Sequence, residues 1–170
     1  MHMITLVTGG QRSGKSKFAE QLALRNCANP FYIATAHIWD DEFRRRVDIH
    51  KQRRGPEWTT IEETLHVGDL TIPAGATVLL DCLTLLSTNW LMECDNDSDV
   101  AFQRISEELR KLLGNNADFI LVTNEIGLGG ISENALQRKF TDLQGNVNAL
   151  AASLADNVYF SVSGIPVKIK

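Results

Sequence analysis

The chain has 170 residues, the length of one domain built around a single hydrophobic core. Hydrophobic residues make up 44% and charged residues 22%, which is typical of a globular protein and excludes a disordered chain. The net charge of -4 argues against a protein that coats nucleic acid, because phosphate-backbone binding needs clustered Lys and Arg. Three cysteines without CxxC spacing indicate neither a zinc site nor a disulfide framework. We therefore expect one cytoplasmic domain over residues 1–170, with no membrane span and no nucleic-acid partner.

The first predicted elements are a strand and a helix joined by glycines. Residues 4–8 form a short, β-branched apolar run that leads directly into Gly9 and Gly10. Residues 15–25 place Phe18 and Leu22 at helical spacing, with alanines between them. The segment is thus predicted to fold as strand, glycine turn and helix.

A second predicted strand, over residues 31–35, precedes a charged stretch from residue 40 to residue 54. Within this stretch Phe43, Val47 and His50 fall at positions i, i+4 and i+7, on one face of a helix. The sequence therefore predicts an exposed helix with an apolar stripe that includes the histidine.

The rest of the chain continues the alternation of strands and helices. Continuous apolar runs end at Asp81 and at Asn124, as expected for parallel strands covered on both faces. Residues 132–154 are helical in pattern with an interruption near Gly145, and residues 158–162 and 167–169 resemble a closing antiparallel pair. The predicted fold class is α/β, with a mostly parallel sheet flanked by helices.

The glycine turn matches a phosphate-binding loop. Residues 9–16 read GGQRSGKS, which satisfies the pattern GxxxxGK[ST], with a strand before it and a helix after it. Backbone N–H groups of such a loop surround phosphates, Lys15 neutralises the β- and γ-phosphates, and Ser16 is a ligand for Mg²⁺. A glycine-rich turn that happens to carry a lysine is the alternative, and the strand and helix around the loop argue against it.

Asp81 is the expected second metal partner, because an acidic residue that ends a buried parallel strand can hold Mg²⁺ directly or through water. An exposed aspartate with no metal role is the other interpretation. A phosphate loop alone does not name the reaction, since ATPases, GTPases, small-molecule kinases and RecA-type motors share it.

The charged helix around His50 admits two interpretations. Six cations crowd this stretch, and a solvated helix face is the common reason for such a run. A histidine among cations is also suited to nucleophilic attack on phosphorus, because positive neighbours favour the neutral imidazole and arginines stabilise phosphate oxygens. Composition alone favours the solvated face and a structural histidine.

Several segments taken together resemble the bifunctional adenosylcobinamide kinase/adenosylcobinamide-phosphate guanylyltransferase family of cobalamin biosynthesis. The resemblance spans nearly the whole chain. It rests on VTGGQRSGKS at 7–16, YIATA at 32–36, DDEFRRRVDIHKQRRGPEW at 40–58, TTIEE at 59–63, LLDCLTLLSTN at 79–89, VTNEIGLG at 122–129, RKFTDLQGNVN at 138–148 and the ending VSGIPVKIK.

The resemblance implies a RecA-like P-loop fold, a homotrimer and two reactions on one chain. ATP or GTP phosphorylates adenosylcobinamide, and GTP then passes GMP through a guanylylated histidine to adenosylcobinamide phosphate, which gives adenosylcobinamide-GDP. His50, followed by Lys51 and by Arg54 four positions later, matches the guanylylated histidine. The residues that the resemblance implies for contact with the nucleotide, in addition to Mg²⁺ at Ser16 and Asp81, are Gly9, Gly10, Gln11, Arg12, Ser13, Gly14, Lys15, Ser16, Ala34, Thr35, Ala36, Lys51, Gln52, Arg53, Arg54, Glu62 and Asp81.

Two alternatives and one unassigned loop accompany this prediction. A kinase without guanylyltransferase activity would keep the phosphate loop and leave His50 structural, and a RecA-like ATP-binding module would act through conformational change in an assembly. The loop NEIGLG, with Asn124 and Glu125 at a strand's carboxyl end, either helps to place the cobinamide or the metal or forms a tight turn. The chain departs from the family at Ile131-Ser132 and Asn148-Ala149, positions outside the phosphate loop and His50.

Overall fold

The computed structural model describes residues 2–38, 41–52 and 54–170. Within these ranges the side chains at positions 42, 43, 46, 49, 50 and 52 lie outside the description. The described chain forms seven strands and five α-helices in largely alternating order. The strands are β1 (Ile4–Gly9), β2 (Phe31–Ala34), β3 (Thr59–Glu62), β4 (Thr77–Asp81), β5 (Asp118–Asn124), β6 (Asn157–Val162) and β7 (Ile165–Lys168). The helices are α1 (Lys15–Asn26), α2 (Asp41–Gln52), α3 (Leu83–Glu93), α4 (Ser98–Leu113) and α5 (Ala135–Leu154).

All seven strands join one sheet in the order β3-β2-β4-β5-β1-β6-β7. Neighbouring strands are parallel except for β6 and β7, which form the predicted antiparallel pair. Strand β5 lies between the phosphate-loop strand β1 and the strand β4 that carries Asp81, an order typical of RecA-like domains. The predicted α/β class with a mostly parallel sheet is confirmed.

Both faces of the central strands are covered, as their continuous apolar runs predicted. On one face, Leu6 and Leu121 contribute to the larger core cluster, which includes buried side chains of α3, α4 and α5. On the other face, Val7 and Val122 belong to a smaller cluster with Ala19 of α1. Successive residues of a strand point to opposite faces, so each central strand serves both cores.

Helix α5 differs from the predicted helix in two ways. It begins at Ala135 rather than at residue 132, because the Asn134 side chain accepts a hydrogen bond from the Gln137 backbone N–H and acts as the N-cap. It is also continuous through Gly145, since Leu143 and Val147 are buried on either side and hold this turn against the core. Tertiary packing thus overrides the low helix propensity of glycine, which costs about 1 kcal/mol relative to alanine.

Strand β3 and helix α4 were not predicted from the sequence. Helix α4 is nevertheless amphipathic, with Ile105, Leu109 and Leu112 buried on one face. The three cysteines are free thiols, as expected. Among the described residues, no helix combines the length and the apolar character that a bilayer crossing requires.

Candidate nucleotide-binding site

The phosphate loop joins the end of β1 to the start of α1. Gly14 caps the helix in the left-handed region at φ 87°, and Arg12 also has a positive φ of 57°. A Cβ at Gly9 would lie 2.5 Å from the backbone oxygen of Ser161. Only glycine therefore fits at position 9, where the neighbouring strand comes against the loop.

Lys15 begins α1 and points back across the loop. Its Nζ donates a hydrogen bond to the Gly10 backbone oxygen over 3.0 Å. Burial lowers the pKa of the Lys15 ammonium, while the negative charge of Asp81 acts in the opposite direction. A cation held partly out of water beside glycine amides is suited to receive a phosphate.

The hairpin of β6 and β7 supports the loop from beneath. The backbone oxygen of Ser13 accepts a hydrogen bond from Ser161 Oγ over 2.6 Å and another from the Gly164 backbone N–H over 3.0 Å. Gly164 itself has a φ of 83°, in the region that favours glycine. These contacts fix the backbone of the phosphate loop, and they were not predicted from the sequence.

Asp81 ends β4 and is bonded to the neighbouring strand. The Tyr32 hydroxyl donates to Asp81 Oδ2 over 2.9 Å, whereas Asp81 Oδ1 accepts no hydrogen bond from the described residues. Burial, followed by the charge of Asp81, raises the pKa of Tyr32 well above its usual value, so its hydroxyl remains a donor. Burial likewise raises the pKa of the adjacent Cys82 thiol to about 12.

The end of the basic segment packs against this tyrosine. The Arg54 guanidinium carbon lies 3.5 Å from the centroid of the Tyr32 ring, within cation–π distance, and Trp58 meets the same ring edge-on at 5.8 Å. Arg54 Nη1 is buried and has no hydrogen-bond partner among the residues that the structure describes. Such a buried donor is available to an anionic ligand.

Thr35 supports the site from the interior of the protein. It is completely buried, and its hydroxyl both donates to the Cys82 backbone oxygen over 2.8 Å and accepts from the Cys82 N–H over 2.9 Å. Its backbone oxygen accepts from Asn89 Nδ2. Thr35 therefore holds the chain that follows Asp81, and its burial argues against the predicted direct contact with nucleotide. The neighbouring Ala34 and Ala36 are half-buried.

A cavity of about 350 Å³ opens between the end of α2 and the edge strand β3. Lys51 Nζ donates to Glu62 Oε1 over 2.5 Å across this space, and Arg54 and Trp58 form part of its wall. Both side chains of the ion pair are well exposed. The structure thus brings together three of the predicted contact residues from the basic segment and β3.

The structure describes only part of the residues that are predicted to carry out guanylyl transfer. The backbone of His50 lies in α2, four residues before Arg54, but its side chain and that of Gln52 lie outside the described residues, as does Arg53. On the face proposed for the histidine, Val47 is half-buried, and the side chain of Phe43 is also outside the description.

The carboxyl end of β5 completes the edge of the sheet. Gly9 and Asn124 are in register, and the Glu125 backbone N–H donates to the Gly9 oxygen over 3.0 Å. A buried network in α5 anchors this end: Asn148 Nδ2 donates to the Asn124 oxygen, and Asn148 Oδ1 accepts from Thr123 Oγ1 and from Gln144. Polar residues at i and i+4 on a helix, as at 144 and 148, were the available sequence signal for this network.

Comparisons with known proteins identify the family to which the chain is similar. Residues 5–169 match the family described as cobinamide kinase / cobinamide phosphate guanyltransferase. The chain is 40% identical to the bifunctional adenosylcobalamin biosynthesis protein CobU of Escherichia coli, with 99% of this chain and 100% of the relative covered. It is 42% identical to CobU of Salmonella typhimurium at the same coverage, and 39% identical to CobP of Pseudomonas aeruginosa, with 99% and 98% covered.

A solved structure from Pyrococcus horikoshii OT3 shares the fold at a TM-score of 0.54 and 9% identity, with 99% of this chain and 86% of that one aligned. The family match and the three relatives extend over almost the entire chain, well beyond the phosphate loop. The chain therefore belongs to the bifunctional cobinamide kinase and cobinamide phosphate guanyltransferase family.

Proposed function

We propose that this protein phosphorylates adenosylcobinamide with ATP or GTP and then transfers GMP from GTP, through His50, to the new phosphate. The product is adenosylcobinamide-GDP. One contact carries the proposal beyond family membership: Arg54 stacks on Tyr32, and Tyr32 holds Asp81. The end of the segment that bears His50 thus packs against the tyrosine that binds the strand-end carboxylate.

In the kinase step, the substrate hydroxyl oxygen bonds to the γ-phosphorus and the bond to the β-phosphate oxygen breaks, which releases the nucleoside diphosphate. Lys15 and the loop amides of residues 9–16 bind the phosphates and stabilise their charge as the bond breaks. Because there is little covalent chemistry for the protein to perform, positioning by this loop supplies most of the catalysis.

In the transfer step, a neutral imidazole nitrogen of His50 bonds to the α-phosphorus of GTP, and pyrophosphate leaves. An oxygen of the corrinoid phosphate then attacks the same phosphorus and displaces the imidazole, so the histidine is regenerated. Arg54 Nη1, which has no hydrogen-bond partner among the described residues, and the ammonium of Lys51 are two cations at the end of this segment that would stabilise the phosphate oxygens.

Ser16 and Asp81 are suited to hold Mg²⁺ with the triphosphate. Asp81 Oδ1 and the Ser16 hydroxyl make no hydrogen bond with the described residues, so both oxygens are available as ligands. When bound, Mg²⁺ would neutralise phosphate charge. We further propose that the protein works as a homotrimer in the cytoplasm, as the resemblance implies, with its one domain serving both reactions.

The proposal is tested with GTP labelled at the α-phosphate. The wild-type protein should form an adduct that is labile in acid and stable in alkali, as a phosphoramidate is, and His50→Ala should form none. His66→Ala is the matched control, because His66 is an exposed histidine that pairs with Glu108 of α4 and is not one of the predicted contact residues.

Label on the His50→Ala variant would overturn the assignment of the nucleophile. Transfer of the γ-phosphate to adenosylcobinamide without any adduct on the wild-type protein would support the alternative of a kinase alone. Failure of both reactions, with nucleotide hydrolysis stimulated by a macromolecule instead, would support the alternative of a RecA-like module.

A further inference from the structure

A second and larger cavity lies outside the nucleotide site. It occupies about 750 Å³ between the loop that follows β5 and one face of α5, and we call it the α5 groove. Its wall includes Gly130 and Ile131 of the loop, and Thr141, Asp142, Gly145 and Asn146 of the helix. A volume of this size is in the range of cavities that bind small molecules.

We propose that the α5 groove binds the corrinoid substrate, an inference that rests on the proposed function. The groove extends to Gly127, two residues after Glu125. Strand β5 leads into its wall, Asn124 is in register with Gly9, and Glu125 is bonded to the Gly9 oxygen. A substrate in this groove can therefore extend its aminopropanol arm along the carboxyl edge of the sheet toward the phosphates, where ligands of open α/β sheets bind.

The chemistry of the wall matches that of a corrinoid. A corrin ring has apolar faces and a rim of carboxamides, which need both hydrogen-bond donors and acceptors. Ile131 on the groove wall is 92% exposed, so it presents apolar surface there, and Leu128 of the same loop, outside the wall, is 78% exposed. Thr141 and Asn146 supply hydroxyl and amide groups, and the wall also carries a carboxylate acceptor at Asp142 and a guanidinium donor at Arg138.

A corrinoid bound in the groove would account for glycine at position 145, whereas packing within the fold does not require it. It sits in the interior of α5, where glycine costs about 1 kcal/mol relative to alanine. A Cβ at this position would meet nothing within 4 Å, so no packing contact within the chain requires glycine. The missing side chain leaves the helix backbone open on the wall of the groove, which allows a broad, rigid ligand to lie against it.

The test places a larger side chain at position 145, where it would occupy part of the groove. We expect Gly145→Leu to weaken binding of adenosylcobinamide, measured by equilibrium dialysis with the corrin absorbance as readout, by about tenfold or more, as overpacking of a filled site does. Gly145→Ala, which adds one methyl group, should change the dissociation constant less than about threefold. Ala149→Leu is the matched control, because Ala149 is exposed one turn further along α5 and does not line the groove.

Labelling from α-labelled GTP separates this inference from the proposed function. Gly145→Leu should retain wild-type labelling of His50, because that reaction needs no corrinoid. In kinase assays its KM for adenosylcobinamide should rise while its KM for ATP does not change.

Wild-type corrinoid affinity in a folded, labelling-competent Gly145→Leu protein would overturn the inference and leave the proposed function intact. A changed oligomeric mass with unchanged corrinoid affinity would also overturn it, and would assign the groove to a subunit contact. Should Gly145→Leu lose its helical circular dichroism, Asn146→Ala replaces it: weaker corrinoid binding supports the inference and unchanged binding overturns it.

Discussion

The Tyr32 hydroxyl donates a hydrogen bond to Asp81 Oδ2 across two neighbouring parallel strands, over 2.9 Å. This bond leaves Oδ1 as the oxygen that faces other partners. Because Tyr32 is 3% exposed and its pKa is raised by burial, the donor does not ionise at neutral pH. The tyrosine therefore fixes one orientation of the carboxylate proposed to bind Mg²⁺.

Replacing Tyr32 by phenylalanine should raise the Mg²⁺ concentration needed for half-maximal kinase activity. Loss of a bond that orients a metal ligand typically costs about 10- to 100-fold in affinity or activity, and we expect the low end because the ring and its packing remain. The measurement is a Mg²⁺ titration of phosphate transfer from ATP. Tyr159→Phe, which alters a half-buried tyrosine of β6, is the control, and an unchanged Mg²⁺ requirement in Tyr32→Phe would contradict this role.

Replacing Arg54 by lysine should impair guanylyl transfer more than phosphorylation. A lysine keeps the charge but loses the planar stack on Tyr32 and the buried Nη1 donor, so the His50 segment loses its contact with Tyr32. We expect labelling from α-labelled GTP to slow by about tenfold, corresponding to loss of roughly 1–2 kcal/mol, the value of a desolvated cation–π contact.

The same Arg54→Lys protein should phosphorylate adenosylcobinamide from ATP within about threefold of the wild-type rate, because the phosphate loop is unchanged. Arg44→Lys is the matched control, since Arg44 lies in α2 of the same basic segment, is exposed and pairs with Asp41 over 3.9 Å. Equal loss of both activities would indicate a general role in nucleotide binding rather than in transfer.

Replacing Ser161 by alanine should weaken the binding of ATP and GTP alike. Ser161 Oγ donates to the Ser13 oxygen, and its loss leaves that carbonyl with the single bond from Gly164. A net hydrogen bond is worth about 1 kcal/mol, so we expect dissociation constants to rise about fivefold for both nucleotides. Fluorescent nucleotide titrations would measure this change. Ser153→Ala, at an exposed serine of α5, is the control, and an effect on only one nucleotide would contradict a support role.

Motifs that are local in sequence were predicted well. The phosphate loop, its flanking strand and helix, and the strand that ends at Asp81 could be read from the sequence because each depends on a few consecutive residues. Strand β3 was missed because it is only four residues long and mostly exposed, so it lacks a clear apolar run.

Contacts between distant residues could not be predicted in the same way. Ser161 reaches Ser13 across 148 positions, and this pairing depends on β6 lying beside β1 in one particular register. Tyr32 was part of a recognised segment, yet its bond to Asp81 follows from the adjacency of β2 and β4, which no single segment encodes. Gly145 was expected to interrupt a helix, because propensity alone does not include the packing on either side of it.

Replacing Asn148 by alanine should destabilise the protein and loosen the start of the α5 groove. Asn148 is 9% exposed and bonds to Thr123, Gln144 and the Asn124 oxygen, so its removal leaves buried polar groups without partners. Such a loss costs about 1–3 kcal/mol, which in a chain of this size lowers Tm by roughly 2–4 °C for each kcal/mol.

Thermal unfolding of Asn148→Ala, followed by circular dichroism, should therefore show a Tm about 2–12 °C below that of the wild type. Asn146→Ala provides the comparison, because Asn146 is exposed on the same helix and should leave Tm within about 1 °C of the wild type. If the two variants unfold at the same temperature, the buried network does not hold α5 to the end of β5. If only Asn148→Ala unfolds early, the anchor of Asn124 beside Gly9 is a stabilising contact in its own right.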